Sequence, residues 1–436
     1  MIDKCNSRKK KVLVLLYAYF PYENANTNVF LPILEKLVQS DYGVDILTCD
    51  LKHHSNKYEF KNRIGIYRYH TGIIKKVIYF VANRLQKHNL QLTKLAKKRC
   101  QNYNIETPNK LFVSLYYWFM TSGNLSRTLR KIVKDNLYSY IIPVSAPPEM
   151  QLPVLNLYIN GFLSHKDTKY IPYFMDPWAS YIGAKSHYKE YMVLENLVYD
   201  NADAIIVTPE MYYKNNMINP LQQYLSKTWP LELCCLKRIV DDGEIEYFDK
   251  SKINCLFCGS LQDLSVRDPT FLFKIIENID NDSIVFHLVV NYFSEDCKRI
   301  YLRHIKDNNN CILYERLPLS TCHSMMAQSD VCINIGNSCD NQLPSKVFDY
   351  MGAGVPIINL HNIEDDTTKI LLRNYPLKLN LNETSVDMDI SLGKFELFCK
   401  NMKGKRVEYG ILERIYHNYT GDTVSSKFIE ILRNVS

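Results

Sequence analysis

The sequence has no apolar run long enough to cross a membrane. Its most apolar internal stretch, residues 111–120, is too short to span a bilayer. Residues 12–16 follow a basic segment, as in a signal peptide, but the apolar run is short and no small-residue cleavage site comes after it. We therefore expect residues 12–16 to form a buried strand, and the protein to be soluble or peripheral to a membrane.

A recognisable metal site is also missing. The 13 cysteines are scattered, and most lie in apolar runs, which is typical of small hydrophobic residues in a reducing cytoplasm. Cys255 and Cys258 have CxxC spacing, but a strand would point them to opposite faces, and no second Cys or His pair completes a site. Residues 387–389 have the Asp-x-Asp spacing of a metal-binding signature, but they lie in a late polar stretch, so we do not assign them a metal. We expect neither a metal nor a cofactor.

Acidic residues are nearly absent between Lys52 and Arg99, where Glu59 stands alone. The cations within this stretch are Lys57, Lys61, Arg63, Arg68, Lys75, Lys76, Arg84, Lys87, Lys94, Lys97 and Lys98. Together with apolar residues at roughly helical spacing, they indicate either contact with an anionic membrane surface or an ordinary solvated helix face. No nucleic-acid motif accompanies them, so we expect no nucleic acid as a partner.

The length of 436 residues favours two domains, and a composition of 46% hydrophobic and 23% charged residues is that of a globular protein. Strands and helices alternate in both halves, which predicts an α/β protein with two Rossmann-like domains. The first βαβ unit is expected at residues 11–49, with Asn26 or Thr27 capping a helix that begins at Asn28. A third strand is expected at residues 64–70, and another at 170–175.

The second half restarts the same pattern after a polar stretch at residues 229–251 that indicates a linker. The predicted organisation is a first domain at residues 1–235, a linker at 236–252, a second domain at 253–415 and a terminal helix at 416–436.

Residues 341–358 carry the clearest chemistry. They follow a buried strand and predict a loop, a helix that starts near Pro344 and a further strand. Ser345 and Lys346 lie in the first helical turn, and Asp349 shares their face. Free N–H groups, a hydroxyl and an ammonium suit a phosphate, and a nearby carboxylate suits sugar hydroxyls, so the segment indicates a nucleotide-sugar site. A helix cap for Ser345 and a solvated side chain for Lys346 are the alternatives.

Three further residues extend this site. Gly259 and Ser260 are predicted to form a tight loop after a strand, and Arg267 follows, placed to reach a diphosphate. A guanidinium suits that task because it stays charged and bonds two oxygens at once. The alternative is a solvated arginine at a helix start, where the helix dipole mildly disfavours a cation.

In the first half, Ser145 and Asp176 each lie at the carboxyl end of a predicted strand, where open α/β sheets bind ligands. Asp176 is the candidate base or acceptor-binding carboxylate. The alternative is an aspartate before proline that sets a turn.

Residues 341–358 resemble the donor-binding segment of GT-B glycosyltransferases, specifically the large retaining family (glycosyltransferase family 4). The Asp176-Pro-Trp178 segment and residues 201–207 resemble parts of that family's N-terminal domain. The resemblance implies two Rossmann-like doubly wound domains facing across a cleft, with the donor on the second domain. It also implies that the terminal helix packs back on the first domain.

Two departures from the family's pattern concern the donor site. Asp349 occupies the position of the second glutamate in the family's Glu-x7-Glu motif, which usually holds ribose hydroxyls, and Asn341 occupies that of the first. Asparagine lacks the charge but still hydrogen-bonds a sugar. The family's adjacent glycines in the first loop are replaced by Asn24, Ala25 and Asn26, so we expect no phosphate contact there.

These observations predict a retaining, metal-independent glycosyltransferase, in which Arg267 and Lys346 stabilise charge on the leaving diphosphate. It would move a sugar from a nucleotide-sugar to a glycan or lipid-linked acceptor during surface polysaccharide or glycolipid assembly. We expect it in the cytoplasm, peripheral to the inner face of the plasma membrane. The alternatives are a sugar-nucleotide epimerase of the same fold, which needs no lipid-facing surface, and a non-catalytic nucleotide-sugar binder, which Asn341 and the missing glycines favour.

Overall fold

The computed structural model describes residues 10–20, 25–50, 56–70, 109–144, 150–178, 188–213, 220–241, 243, 248–261, 264, 266–305, 308–384 and 387–435. The chain divides into two compact units. The first unit comprises Met1–Cys234 with Asp422–Ser436, and the second comprises Cys235–Gly421. Ser145 and residues 71–99 of the basic stretch lie outside the described residues.

The first unit is an α/β structure. Its elements in chain order are β1 (Lys11–Leu16), α1 (Ala25–Gln39), β2 (Gly43–Cys49), β3 (Tyr58–Lys61), β4 (Ile64–Tyr69), α2 (Lys110–Ser122), α3 (Asn124–Asp135), β5 (Tyr140–Pro143), α4 (Gln151–Ile159), β6 (Lys169–Tyr170), β7 (Tyr173–Phe174), α5 (Tyr188–Asn201), β8 (Ile205–Val207), α6 (Pro209–Tyr213), a 3-10 helix (Pro220–Lys227) and β9 (Thr228–Pro230). One sheet has the strand order β3-β4-β2-β1-β5-β6, and a second has the order β7-β8-β9. An isolated parallel bridge between Val144 and Tyr173 connects the two sheets.

The predicted βαβ unit at the start of the chain is confirmed, because β1 pairs in parallel with β2 across α1. Neither Asn26 nor Thr27 caps α1, since the helix already begins at Ala25. The Thr27 hydroxyl instead donates a hydrogen bond to the Ala18 carbonyl beyond β1.

Two other expectations for the first unit are corrected. The strand expected at residues 170–175 is divided into β6 and β7 around Pro172, which has no N–H for a strand ladder. Trp229 and Pro230, at the start of the stretch that indicated a linker, instead belong to strand β9, which pairs in parallel with β8.

The second unit contains a sheet that is parallel throughout. Its elements are β10 (Ile253–Leu261), α7 (Thr270–Asn278), β11 (Ile284–Phe293), α8 (Glu295–His304), β12 (Cys311–Glu315), α9 (Leu319–Gln328), β13 (Val331–Ile335), α10 (Lys346–Gly352), β14 (Ile357–His361), α11 (Thr367–Leu371), a 3-10 helix (Leu372–Asn374), β15 (Lys378–Asn382), α12 (Met388–Met402), α13 (Tyr409–Ile415) and a 3-10 helix (His417–Tyr419). The strand order is β12-β11-β10-β13-β14-β15. This is the doubly wound Rossmann order, and it reverses between β10 and β13.

Helices cover both faces of this second sheet. Alternate residues of β10 join two different cores: Cys255 packs with Phe273 and Phe395, whereas Cys258 packs with Met325 and other residues of α9 and α10. The prediction that Cys255 and Cys258 point to opposite faces is therefore confirmed. Burial on both faces explains why these strands are continuous apolar runs in the sequence.

The terminal helix α14 (Gly421–Asn434) packs within the first unit. The Tyr140 hydroxyl donates to the Leu432 carbonyl over 2.9 Å. Phe428 lies edge-on to Phe30 of α1, with ring centroids 5.7 Å apart. Within the described ranges, every helix is too short or too polar to cross a membrane.

Candidate functional site

Several predicted donor-side residues gather at the carboxyl ends of β10 and β13. The strand order reverses between these two strands, and open α/β sheets bind ligands outside such a point. Val266, which follows β10 in the chain, lies at the end of β13, where the Ser338 N–H donates to its carbonyl over 2.8 Å. This contact places Arg267, the next residue, beside the end of β13.

A buried amide holds Arg267 in place. Arg267 Nη2 donates to Asn337 Oδ1 over 3.0 Å, and Asn337 is 3% exposed. A Cβ on Gly259 would lie 3.7 Å from Arg267 Nη1 and 3.2 Å from the Phe257 ring, so the glycine leaves the space that these groups need. Gly259 and Ser260 do not form the expected tight loop. They belong to β10, at an irregularity in its register with β11.

Lys346 and Asp349 form a partly buried ion pair. Lys346 Nζ lies 3.1 Å from Asp349 Oδ2, and His323 Nε2 lies 4.0 Å from Oδ1. Burial alone would lower the pKa of Lys346, but the Asp349 carboxylate outweighs it, so this pKa lies above its ordinary value. Lys346 is therefore charged at neutral pH. When a donor binds, the ammonium can leave the carboxylate and bind a phosphate, and the carboxylate can then bind sugar hydroxyls.

A buried tyrosine connects this ion pair with the end of β10. The Tyr350 hydroxyl accepts a hydrogen bond from the Cys258 N–H (3.0 Å) and donates to the Cys258 carbonyl (3.1 Å). Tyr350 directly follows Asp349 in α10, and Gly259, which directly follows Cys258, lies beside Arg267, whose Nη1 would be 3.7 Å from a Cβ at that glycine. Arg267 and the Lys346–Asp349 pair therefore border the same end of β10.

The loop before α10 carries the remaining predicted donor contacts. Pro344 is buried, and Asn341 and Ser345 are half-buried. The Ser345 side chain caps no N–H of α10, so the capping alternative is wrong. Asn337 Nδ2 donates to the Gln342 carbonyl over 3.3 Å, which ties this loop to the residue that holds Arg267.

Sequence reasoning missed Asn337, His323 and the thiol of Cys322, because the fold alone brings them to the predicted residues. The neighbouring Cys258 and the Lys346 ammonium lower the pKa of Cys322 below its ordinary value, although burial opposes the shift. Both thiols are buried beside Lys346.

Asp366 was also missed. It is fully buried after β14, where it accepts hydrogen bonds from Asn359 Nδ2 (2.9 Å) and the Lys369 N–H (2.7 Å). A Cβ on Gly336 would lie 2.5 Å from Asp366 Oδ2. The glycine that ends β13 in the sequence was thus the only signal of this close approach.

In the first unit, Asp176 follows β7 and is half-buried. It lies near Trp178, whose ring packs on Tyr191 with centroids 6.1 Å apart. Since Ser145 is outside the described ranges, the structure brings no second predicted residue of this unit to Asp176. Among the residues that the structure describes, no group of three or more His, Cys, Asp or Glu is arranged to hold a metal ion.

Solved structures of other proteins are similar to this chain and identify its fold. No family model and no curated protein matches the sequence. An α,α-trehalose-phosphate synthase (UDP-forming) from Burkholderia vietnamiensis is similar in structure, with a TM-score of 0.65 at 8% identity over 98% of this chain and 100% of that one. The chain has the GT-B fold.

Two other solved structures are similar over nearly their whole length. An E. coli structure described as trehalose-6-phosphate bound with UDP-2-fluoro glucose has a TM-score of 0.63 at 11% identity, over 97% of this chain and 99% of that one. The lipopolysaccharide outer core galactosyltransferase WaaB has a TM-score of 0.56 at 9% identity, over 97% and 99%. The predicted GT-B fold class is confirmed, and at these identities the likeness concerns the fold alone.

Proposed function

We propose that this chain is a glycosyltransferase that moves a sugar from a nucleotide-sugar to a glycan or lipid-linked acceptor. The grouping of Arg267, Lys346 and Asp349 at the point where the strand order reverses carries the proposal. Two cations suit a diphosphate and a carboxylate suits ribose hydroxyls. Among similar structures, the E. coli one holds UDP-2-fluoro glucose, and one of S. aureus TarM holds UDP and α-GlcNAc-glycerol.

The reaction we propose is retaining and needs no metal ion. As the bond from the sugar to the phosphate oxygen breaks, negative charge grows on the leaving diphosphate. Arg267, fixed by Asn337, and Lys346, released from Asp349, would stabilise that charge; one such preorganised donor is worth about a hundred- to a thousandfold in rate. Asn341 and Ser345 would contact the donor from the loop before α10.

The acceptor would bind the first unit, where Asp176 lies at a sheet edge. We place the protein in the cytoplasm, peripheral to the inner face of the plasma membrane, in surface polysaccharide or glycolipid assembly. Helix α3 supports membrane contact, because its exposed residues at positions i, i+3, i+4 and i+7 are all cations: Arg127, Arg130, Lys131 and Lys134. Phe162 lies under Arg130 at 5.1 Å and is 59% exposed.

Arg68, from the basic stretch, is different. It is buried and paired with Glu59 over 2.7 Å, so it is not available to a membrane.

Co-sedimentation with anionic and neutral vesicles tests the membrane proposal. Reversing the charge of Arg127 and Lys131 should abolish binding to anionic vesicles, and unchanged binding would contradict it.

A donor screen on the purified protein tests the proposed function. UDP-glucose, GDP-mannose, ADP-glucose and CMP-N-acetylneuraminate would be compared by thermal shift and by slow hydrolysis. We expect one donor both to stabilise the protein and to be hydrolysed. Binding without turnover, even with membrane extracts added, would favour the non-catalytic binder, and release of an epimerised sugar would favour the epimerase.

A further inference from the structure

Strand β3 forms one edge of the six-stranded sheet in the first unit, and among the described strands it pairs only with β4. An edge strand presents backbone N–H and C=O groups with which a further strand can pair, and natural edges are often blunted by a proline or a bulge. The sequence of β3 contains no proline, and its register with β4 is regular. Tyr58 and Phe60 of this edge are 50% and 67% exposed. Phe60 lies opposite Gly65, which offers it no side chain to pack against.

The turn between β3 and β4 determines which backbone groups of β3 face outward. Residues 62–63 both have positive φ (51° and 64°), as a two-residue type I′ turn requires, so the two residues that flank the turn exchange hydrogen bonds. Bonded and non-bonded pairs then alternate along the antiparallel ladder. The Arg68 N–H donates to the Lys57 carbonyl over 2.9 Å, which agrees with this alternation. The N–H and C=O groups of Tyr58 and Phe60 therefore point away from β4.

The charges of β3 suit antiparallel pairing with β3 of a second copy of this chain. When Phe60 lies opposite Phe60 of the second copy, Glu59 lies opposite Lys61 of the second copy, and Lys61 lies opposite its Glu59. Glu59 and Lys61 project from one face of the strand and Phe60 from the other, because side chains alternate along a strand. Opposite charges and aromatic pairs across two strands both stabilise a sheet. The outward N–H and C=O groups of the two Phe60 residues would bond each other, which is the pattern of a twofold-symmetric pair.

Charge also selects this register over its neighbours. A register with Tyr58 opposite Phe60 of the second copy would place Glu59 opposite Glu59. Lys57 would then face Lys61, and like charges directly opposite each other destabilise a sheet. A register with Tyr58 opposite Tyr58 would bring Lys57 to Glu59, but Phe60 would then lie opposite a polar residue instead of another ring. The register centred on Phe60 therefore satisfies both the charges and the most exposed ring.

Both charged side chains have a contact within the first unit that leaves them able to form these pairs. Glu59 Oε2 lies 2.7 Å from Arg68 Nη2, so the carboxylate keeps Oε1 for a second cation. Lys61 Nζ lies 3.2 Å from the centroid of the Phe20 ring, and an ammonium has three N–H groups to donate. Pairing would add contacts without breaking either of these.

We propose that two copies of this chain associate through β3, with the two Phe60 residues on the twofold axis. The two six-stranded sheets would then continue into one another across the pair. This inference does not depend on the proposed glycosyl transfer. Because two strands of four residues bury less surface than a standard stable interface, we expect a reversible dimer with a dissociation constant in the micromolar range.

Sedimentation equilibrium of the full chain, from low to high micromolar concentration, tests the pairing. We expect the average mass of the wild type to rise from that of one chain toward that of two. Phe60→Pro should abolish this rise, because it removes an N–H that the dimer needs and the hairpin does not. Lys61→Glu should weaken association about tenfold or more, since both ion pairs become repulsive. Lys57→Glu is the matched control on the same strand. It makes no ion pair with Glu59 in this register, so it should associate at least as strongly as the wild type.

Hydrogen exchange of the hairpin gives a second measurement. The amides of Tyr58 and Phe60 should become protected as the wild-type concentration rises, and Lys61→Glu should lack this protection, which keeps the test decisive if Phe60→Pro does not fold. A wild type that keeps the mass of one chain at every concentration would overturn the inference. A dimer that persists unweakened in Lys61→Glu would also overturn it, and so would one that Lys57→Glu weakens instead, because the copies would then meet in another register or through another surface.

Discussion

The guanidinium of Arg267 donates to the buried amide oxygen of Asn337 over 3.0 Å, and this bond joins the loop after β10 to the end of β13. The amide nitrogen of Asn337, Nδ2, donates to the Gln342 carbonyl in the loop that carries Asn341. One buried side chain therefore positions both loops at the candidate donor site.

The first prediction makes this side chain negative and also removes its hydrogen bond to the Gln342 carbonyl, a loss that Asn337→Ala shares without the charge. In Asn337→Asp the new carboxylate would still hold Arg267, but it would neutralise the guanidinium and repel a diphosphate. We expect donor affinity to fall by about tenfold or more, which corresponds to about 1.4 kcal/mol. Isothermal titration measures this, with Asn337→Ala beside it. Unchanged affinity in Asn337→Asp would mean that Arg267 does not contact the donor.

The second prediction concerns stability. Gly336→Ala would place a Cβ 2.5 Å from Asp366 Oδ2 and 3.2 Å from the Leu360 carbonyl, so we expect a loss of about 1–3 kcal/mol in the free energy of unfolding. Gly393→Ala is the matched control, because Gly393 lies on the exposed face of helix α12 and its Cβ would meet nothing within 4 Å. We expect that control to gain about 0.5–1 kcal/mol.

Urea unfolding of both glycine variants measures these changes. If the Gly336→Ala protein were as stable as the wild type, Asp366 would have to move away from the new Cβ with no loss in the free energy of unfolding.

The third prediction concerns pH. His287 bonds Tyr314 and Asn254 through its two ring nitrogens (3.0 and 3.1 Å), and burial lowers its pKa from 6.5 to about 4. The unfolded chain therefore takes up the proton first, so the contribution of neutral His287 is full above pH 6.5 and is lost as the pH falls toward 4. Between pH 7.5 and pH 5 this loss is about 2 kcal/mol.

Urea unfolding at these two pH values checks the sign. We expect His287→Gln to lose less stability on acidification than the wild type by about that amount, whereas exposed His417→Gln should follow the wild type. An identical loss in His287→Gln and the wild type would contradict the buried neutral state.

Much of the fold was predictable because buried parallel strands are apolar runs between turns, as at Val331–Ile335. The strands that could not be predicted in this way, β3 and β15, are not apolar runs. In β3, Tyr58 and Phe60 are exposed, and β15 alternates apolar and polar residues with partial burial. A short strand at a sheet edge forms because it pairs with a neighbouring strand, and its own sequence does not predict it.

The candidate site divides in the same way. Lys346 and Asp349 were predictable together, because a spacing of three residues puts both on one helix face. Asn337, His323 and Asp366 come from different parts of the second unit and reach the site only through its sheet order. The irregularity in β10 at Gly259 likewise depends on pairing with β11, which a single strand's sequence does not encode.

Titration of the donor identified by the screen into Lys346→Ala tests the central claim most directly. Lys298→Ala is the matched control, since Lys298 also makes an i,i+3 ion pair, with Glu295 over 3.2 Å on the exposed face of helix α8. We expect Lys346→Ala to bind about ten- to a hundredfold more weakly, because a charge-assisted bond to the diphosphate is lost. Lys298→Ala should bind like the wild type. Equal affinity in Lys346→Ala and the wild type would contradict a donor site at the Lys346–Asp349 pair.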